Sequence, residues 1–255
     1  MREALRGARP VPILTYHSLD DSGSVISVAP GVFREHVQTL LRRGFQGITL
    51  RDLLELWAGR RSYPRPVVLT FDDAFASVGE HAVPILRDAG FHATIFAVAG
   101  YAGRTNDWPG QPPEIPRLPL LSLSDLRQFS AQGFEIGSHG THHVCLEGAS
   151  AAEVHEEIVG SKRRLEDGVG ADVGVFAYPY GLADAAARDL ARQSYRAACG
   201  VEMAVAQPED DRYSLRRLEM YYFRRPGAFH LFGTGAGRAY VALRAFGRRM
   251  RQRLG

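Results

Sequence analysis

Lysine is almost missing from this chain: of 31 basic residues, only Lys162 is not arginine. In a sequence also rich in alanine and glycine, that bias reads as coding bias, so arginine counts carry no functional weight by themselves. Cysteine is scarce. Cys145 and Cys199 are too few for a disulfide framework. No apolar run is long enough to span a bilayer. The segment Met1–Pro10 has three arginines and no apolar core of a secretory leader. The resulting expectation is a soluble, cytoplasmic chain without a signal peptide. Internal repeats and linkers are lacking, and no glycine-rich loop follows a strand-like segment, which argues against an open nucleotide-binding sheet.

What is present is globular. The 255 residues are 45% hydrophobic and 23% charged, enough for one compact domain with a sizeable core. The net charge of +3 hides two parts. Residues 223–255 hold eight arginines and no acid, leaving 23 basic against 28 acidic residues in 1–222. A basic balance confined to a tail says nothing about nucleic acid, and no nucleic-acid partner is expected. Two segments follow: a body, 1–222, and a basic extension, 223–255, helical from about 237. In that extension Tyr240, Leu243, Phe246, Met250 and Leu254 recur at helical spacing among Arg238, Arg244, Arg248, Arg249, Arg251 and Arg253. The pattern suits a terminal helix docked on the body, or a peripheral contact with a membrane or an anionic polymer.

Short apolar runs alternate with helical patterns, the signature of βα units. Strands are expected at 11–16, 46–49, 67–71, 93–98, 134–136, 173–177, 196–198 and 213–218. Ser124 is expected to cap a helix over 125–131, and Gly233–Gly237 to be a flexible connection. Seven or eight units in this length predict an α/β barrel. One loop, Gly100–Leu121, carries five prolines and Trp108, and a long irregular loop of that kind is often functional.

Three segments carry chemistry, each at the end of an expected strand, where parallel α/β folds open onto ligands. Thr70-Phe71-Asp72-Asp73 offers two adjacent carboxylates, one to bind a cation and one to stay free as a base. Gly137-Ser138-His139-Gly140-Thr141-His142-His143 packs three histidines into five positions. His139 and His143, four apart, would share one face of a helical turn. With a carboxylate they make a two-histidine, one-carboxylate site with open positions, a catalytic rather than a structural arrangement. His142 is a weaker candidate. Phe176-Ala177-Tyr178-Pro179-Tyr180-Gly181 is a stiff aromatic turn suited to stacking a sugar and to facing an oxyanion with backbone N–H groups.

The ordered series TFDDA (70–74), EIGSHGTHH (135–143) and FAYPYG (176–181), with PLLSLSDLRQF before the second motif, resembles the polysaccharide deacetylases of the NodB-like type, carbohydrate esterase family 4. The resemblance covers about residues 11–220, and VPILTYHSLDD (11–21) is similar to members acting in exopolysaccharide metabolism. It implies a distorted (β/α)7 barrel, TIM-like, and a metal-dependent hydrolase that removes N-acetyl groups from an amino-sugar saccharide. It implies one divalent metal ion, zinc first and cobalt, nickel or manganese as alternatives, held by Asp73, His139 and His143. It assigns the general base to Asp72 and an oxyanion-binding backbone N–H to Tyr180. Leu146 keeps the register of the second motif, Gly140 stands where Ser or Thr is frequent, Val144 replaces a common proline, and Cys145 is read as a small half-buried side chain.

Two departures stand out. The arginine that many members carry in the third motif is Ala177 here, so Arg216 or Arg217 is expected to supply the charge, Arg216 first. The late histidine that usually serves as acid is not recognisable. His17, at the end of the first strand, ranks ahead of His230 for that role. Trp108, Tyr178 and Tyr180 are candidate sugar-stacking residues. The alternatives are an O-deacetylase or deformylase of a modified sugar, and a catalytically impaired carbohydrate-binding homologue.

Overall fold

The computed structural model describes the backbone from Arg9 to Leu254 and the side chains from Arg9 to Gly247. In chain order it contains β1 (Ile13–Tyr16), α1 (Pro30–Arg42), β2 (Gln46–Ile48), α2 (Leu50–Trp57), β3 (Pro66–Phe71), α3 (Val83–Asp88), β4 (Thr94–Ala97) and α4 (Leu123–Ala131). There follow β5 (Glu135–Ser138), α5 (Ala151–His155), α6 (Ser161–Val169), β6 (Val175–Ala177), α7 (Ala185–Ser194), β7 (Ala197–Met203), β8 (Leu215–Glu219) and α8 (Gly235–Leu254). A π-helical turn, Glu156–Gly160, joins α5 to α6.

β1 pairs in parallel with both β8 and β3, which closes seven strands into a ring. β2 stands outside it and pairs with the first half of β3, Ile48 opposite Val68, while β4 takes the second half of the same edge, Thr70 opposite Thr94. The barrel is therefore distorted between β3 and β4, as the (β/α)7 expectation requires.

All six residues of β3 are buried, because the strand has the ring interior on one face and helices on the other. Side-chain alternation sorts the core into two layers. Ile13, Val68, Phe96, Val175 and Leu215 belong to the inner cluster, and Leu14, Leu69, Phe71, Phe176 and Leu218 to the outer one. The same parity puts Thr15, Thr70 and Arg217 on the inner side near the C-terminal mouth of the barrel.

Two local expectations need correction. Ser122, not Ser124, caps α4: its hydroxyl accepts from Asp125 N while the Asp125 side chain accepts from Ser122 N. The glycines at 235 and 237 lie inside α8 rather than in a flexible connection. The segment after β8 folds back on the barrel. Phe223, Phe229 and Phe232 are buried, and His36 of α1 bonds the Phe223 carbonyl and stacks on Phe229 at 4.2 Å. On α8, Ala245 is buried, whereas Leu243 and Phe246 are 68% and 63% exposed. Met250, Leu254 and Arg248, Arg249, Arg251 and Arg253 lie outside the described side chains. Among the described residues no helix is long and apolar enough to cross a membrane.

Candidate active site

The three motifs meet at the C-terminal mouth of the ring, around a cleft of about 350 Å³. Asp72 and Asp73 follow β3, His139 and His143 follow β5, and Tyr178 and Tyr180 follow β6. Among the described residues, four that are not glycine adopt positive φ, namely Asp73 (68°), Ala74 (57°), His143 (58°) and Tyr180 (56°). All four lie in the three motifs. Such backbone costs about 1–3 kcal/mol per residue and persists only where the surroundings over-determine it.

Asp73 Oδ1 is 3.6 Å from His139 Nε2 and 3.4 Å from His143 Nε2. One ligand atom from each of the three residues lies within 4.8 Å of the others, and all three residues are buried. Asp73 Oδ1 has no hydrogen-bond partner. Burial pushes the Asp73 carboxyl up, with Asp72 adding to it against the lowering by His139 and His17. His139 Nδ1 donates to the Ala177 carbonyl at 2.7 Å, which leaves the lone pair on Nε2 facing Asp73. Burial also holds His143 well below the usual imidazole range, in its neutral, ligating form. A buried carboxylate oxygen without a hydrogen-bond partner, facing the Nε2 atoms of His139 and His143, fits a divalent cation of the zinc class.

The second-motif loop is pinned from both sides. Ala99 N and Gly100 N donate to the Gly140 and Thr141 carbonyls at 2.9 Å each. From α5–α6, the buried Glu157 carboxylate accepts from Thr141 N at 3.0 Å, His142 N at 2.9 Å and His142 Nδ1 at 2.9 Å. His142 therefore faces Glu157 and not the cation site. A Cβ at Gly140 would collide with Glu157 Oε2, and φ there is 84°. Glycine stands in place of Ser or Thr because this carboxylate fills the room. Cys145 stays out of the cluster, its Sγ 3.9 Å from the Glu147 carbonyl. Nothing in the sequence singled out Glu157.

Asp72 is held by Arg217, not by Arg216. Arg217 Nη1 and Nη2 donate to Asp72 Oδ1 and Oδ2 at 2.7 and 2.9 Å, and Arg217 Nε donates to the Gly200 carbonyl at 3.1 Å. Arg216 points to the other face of β8, where it pairs with Glu202 and Asp210. The reason is strand parity: Leu215 and Arg217 face inward, Arg216 and Leu218 outward. Burial would raise the Asp72 carboxyl, but Arg217, aided by His139 and His17, holds it well below the usual carboxylate range. The guanidinium absent from the third motif, at Ala177, thus enters from β8.

His17 lines the cleft with 22% of its side chain exposed, its Nε2 3.9 Å from Asp72 Oδ2. Burial would lower its pKa, but Glu219, Asp72 and Asp73 outweigh this and raise it. His230, the other acid candidate, is on the surface against Glu35, 3.5 Å away, and outside the cleft. Glu219, also unanticipated, lies on the same face of β8 as Arg217 and lines the cleft.

The candidate stacking residues separate. Tyr180 is 43% exposed at the rim with its ring 4.7 Å from His143. Tyr178 is only 2% exposed, and its hydroxyl donates to the Tyr213 carbonyl at 3.1 Å. Trp108, equally buried, packs on His143 at 4.3 Å and on Tyr101 at 5.6 Å. Both line the cleft with little surface exposed, and Trp108 walls in a metal-ligating candidate. The proline-rich loop carrying it is ordered by Asn106, which bonds Pro116 O and Leu118 N, and brings Ile115 to the cleft.

Comparison with known proteins gives a consistent result. The family model described as polysaccharide deacetylase matches residues 59–197, a little over half of the chain. YxkH of Bacillus subtilis strain 168, assigned to the polysaccharide deacetylases, is 24% identical over 212 residues, covering 82% of this chain and 71% of its own length. A poly-β-1,6-N-acetyl-D-glucosamine N-deacetylase of Staphylococcus aureus is 26% identical over 165 residues, covering 61% of this chain; the chain spans about half, 54%, of that relative. IcaB from Ammonifex degensii superposes with a TM-score of 0.71 at 24% identity, over 83% of this chain and 92% of that one. The Streptococcus pyogenes deacetylase PplD gives 0.72 at 22% identity, over 82% and 92%. At these identities the superpositions speak for the shared barrel.

Proposed function

Since the chain belongs to the polysaccharide deacetylase family, we propose that it is a metal-dependent hydrolase that removes N-acetyl groups from an amino-sugar saccharide, releasing acetate and a free amine. The observation that carries this is the buried Asp73–His139–His143 cluster opening beside an arginine-clamped Asp72. A divalent ion, zinc in first place, held by Asp73, His139 and His143 would polarise the amide carbonyl and acidify the attacking water.

The protein's own groups supply the rest. Asp72 stays ionised at neutral pH because Arg217 holds it so, and it takes the proton of the attacking water. The Arg217 fork fixes both carboxylate oxygens, so Asp72 keeps one orientation through turnover. The Tyr180 backbone N–H stabilises the developing oxyanion, at a residue whose left-handed conformation is imposed by the turn. His17 sits across Asp72 at the mouth and gives its proton to the departing nitrogen, leaving the amine. Trp108 and the Ile115 loop wall the cleft and limit water beside the reacting amide.

The test is acetate release from N-acetylated oligosaccharides, with zinc content measured on the same samples. Zinc-loaded protein that releases acetate, and His17→Gln protein that keeps zinc but loses most turnover, is the expected outcome. An active metal-free protein would overturn the proposal.

A further inference from the structure

Beyond β8 the chain builds a second depression next to the cleft. It measures about 750 Å³ against about 350 Å³ for the cleft, and Glu219 lines both. Its walls include Tyr221, Tyr222 and Tyr240, with Arg224, Arg225 and Arg244. Each aromatic face has a guanidinium near it. Arg224 lies 4.2 Å from the Tyr221 ring, and Arg244 lies 5.5 Å from Tyr222 and 5.1 Å from Tyr240. The scaffold is fixed: Tyr240 Oη donates to the Tyr222 carbonyl at 2.8 Å, and Arg244 Nε donates to Tyr240 Oη at 3.1 Å. Arg224 is anchored on the Gly23 and Ser24 carbonyls at 2.6 and 3.2 Å.

No described carboxylate pairs with any of these three arginines. The segment that carries them, 223–255, has no acidic residue of its own. Glu219 lines the trough at its junction with the cleft, where its side chain accepts from Tyr221 N at 3.3 Å. Three guanidinium groups held against tyrosine rings, with no carboxylate partner among the described residues, match a sugar carrying an anionic group, which would take forked hydrogen bonds from them. Glu219 repels an anion at the junction, so the charged unit belongs deeper in the trough and not beside the reacting N-acetyl group.

We infer that this trough binds an acidic sugar unit of the same chain whose N-acetyl group occupies the cleft. The substrate class is then an anionic amino-sugar polysaccharide. The inference rests on the hydrolase proposed above.

Two oligosaccharides of equal length test it on the full-length, zinc-loaded protein: one alternating N-acetylglucosamine with glucuronic acid, the other N-acetylglucosamine alone. The acidic oligomer should show a KM about tenfold lower, as expected for one charge-assisted fork, and the advantage should shrink with added salt. Arg225→Ala/Arg244→Ala should remove the advantage, so that the KM for the acidic oligomer is no lower than that for the neutral one. Calorimetry on chelator-treated protein provides a readout independent of turnover: the acidic oligomer should bind wild type and not the double variant. Acetate release without any preference, or a preference that survives the double substitution, overturns the inference while leaving the hydrolase proposal intact. Arginine-dependent binding of the acidic oligomer without acetate release does the reverse. Binding to phosphatidylglycerol vesicles with no binding of the acidic oligomer would make the trough a lipid-headgroup surface and would also overturn the inference.

Discussion

Arg217 and Asp72 meet as a two-pronged pair, 2.7 and 2.9 Å across, both buried, one from β8 and the other from the end of β3. Each group is the other's main compensation for leaving water. Arg217→Ala should therefore destabilise the fold by about 3–5 kcal/mol, since it strands a buried carboxylate. Arg217→Lys keeps the charge but loses the fork, and should fold while turning over more slowly. In it the Asp72 pKa rises, so the acid limb of the kcat/KM profile should move to higher pH. An unmoved acid limb would show that Asp72 is not the group being titrated.

The cation cluster makes opposite predictions for metal-loaded and metal-free protein. Asp73→Asn should abolish zinc binding and acetate release. Without metal, however, it should be more stable than wild type by about 1 kcal/mol, because Asp73 Oδ1 is buried without a hydrogen-bond partner. Thermal melts with and without chelator should cross between the two proteins. Asp72→Asn should retain zinc and lose turnover.

Glu157 should act through the loop it holds. Glu157→Gln preserves the shape but removes an anion that accepts from Thr141 N, His142 N and His142 Nδ1. Zinc affinity should fall about 10–100-fold, the range seen when groups supporting metal ligands are removed. Saturating zinc should restore most activity. A zinc affinity equal to wild type in competition titrations would exclude this role.

Acid stability should carry the signature of His36. Tyr16 Oη donates to its Nδ1 and its Nε2 donates to the Phe223 carbonyl, at 3.0 and 3.2 Å. Burial, only partly offset by the Phe223 bond, lowers its pKa to about 4. The unfolded chain takes up this proton near pH 6.5 and the native state does not. The neutral ring's contribution is thus complete above pH 6.5 and is lost as pH falls toward 4, to a total of about 3 kcal/mol. His36→Gln should be less stable at pH 7 but show a flatter slope across that interval in denaturant titrations.

Much of this was visible in the chain. The three motif ends, the barrel and the residues Asp72, Asp73, His139 and His143 follow from apolar runs that stop at charged residues, because a strand buried on both faces admits no charge until it emerges. Arg217 was half legible. Alternation says that Arg216 and Arg217 face opposite ways, but which of them faces inward depends on the pairing of β8 with β1 and β7, a long-range fact. Glu157 was not legible, since its place opposite the histidine loop arises from how α5–α6 packs on β5. Trp108 and Tyr178 line the cleft but are almost fully covered by protein, and the sequence did not show that. A large aromatic ring is as useful behind a ligand as in front of one, and sequence does not distinguish the two.

The closure of the ring has a temporal consequence. Leu14 lies between Leu69 and Leu218, so the first strand waits for the last. A ribosome-bound chain that has extruded Asp72, Asp73, His139 and His143 but not β8 has an open barrel and an Asp72 without its guanidinium. Contacts this far apart in sequence make the closing step slow. Closure of the ring therefore requires β8, and a chain that stops before β8 is expected to be silent in acetate-release assays even if it carries every motif.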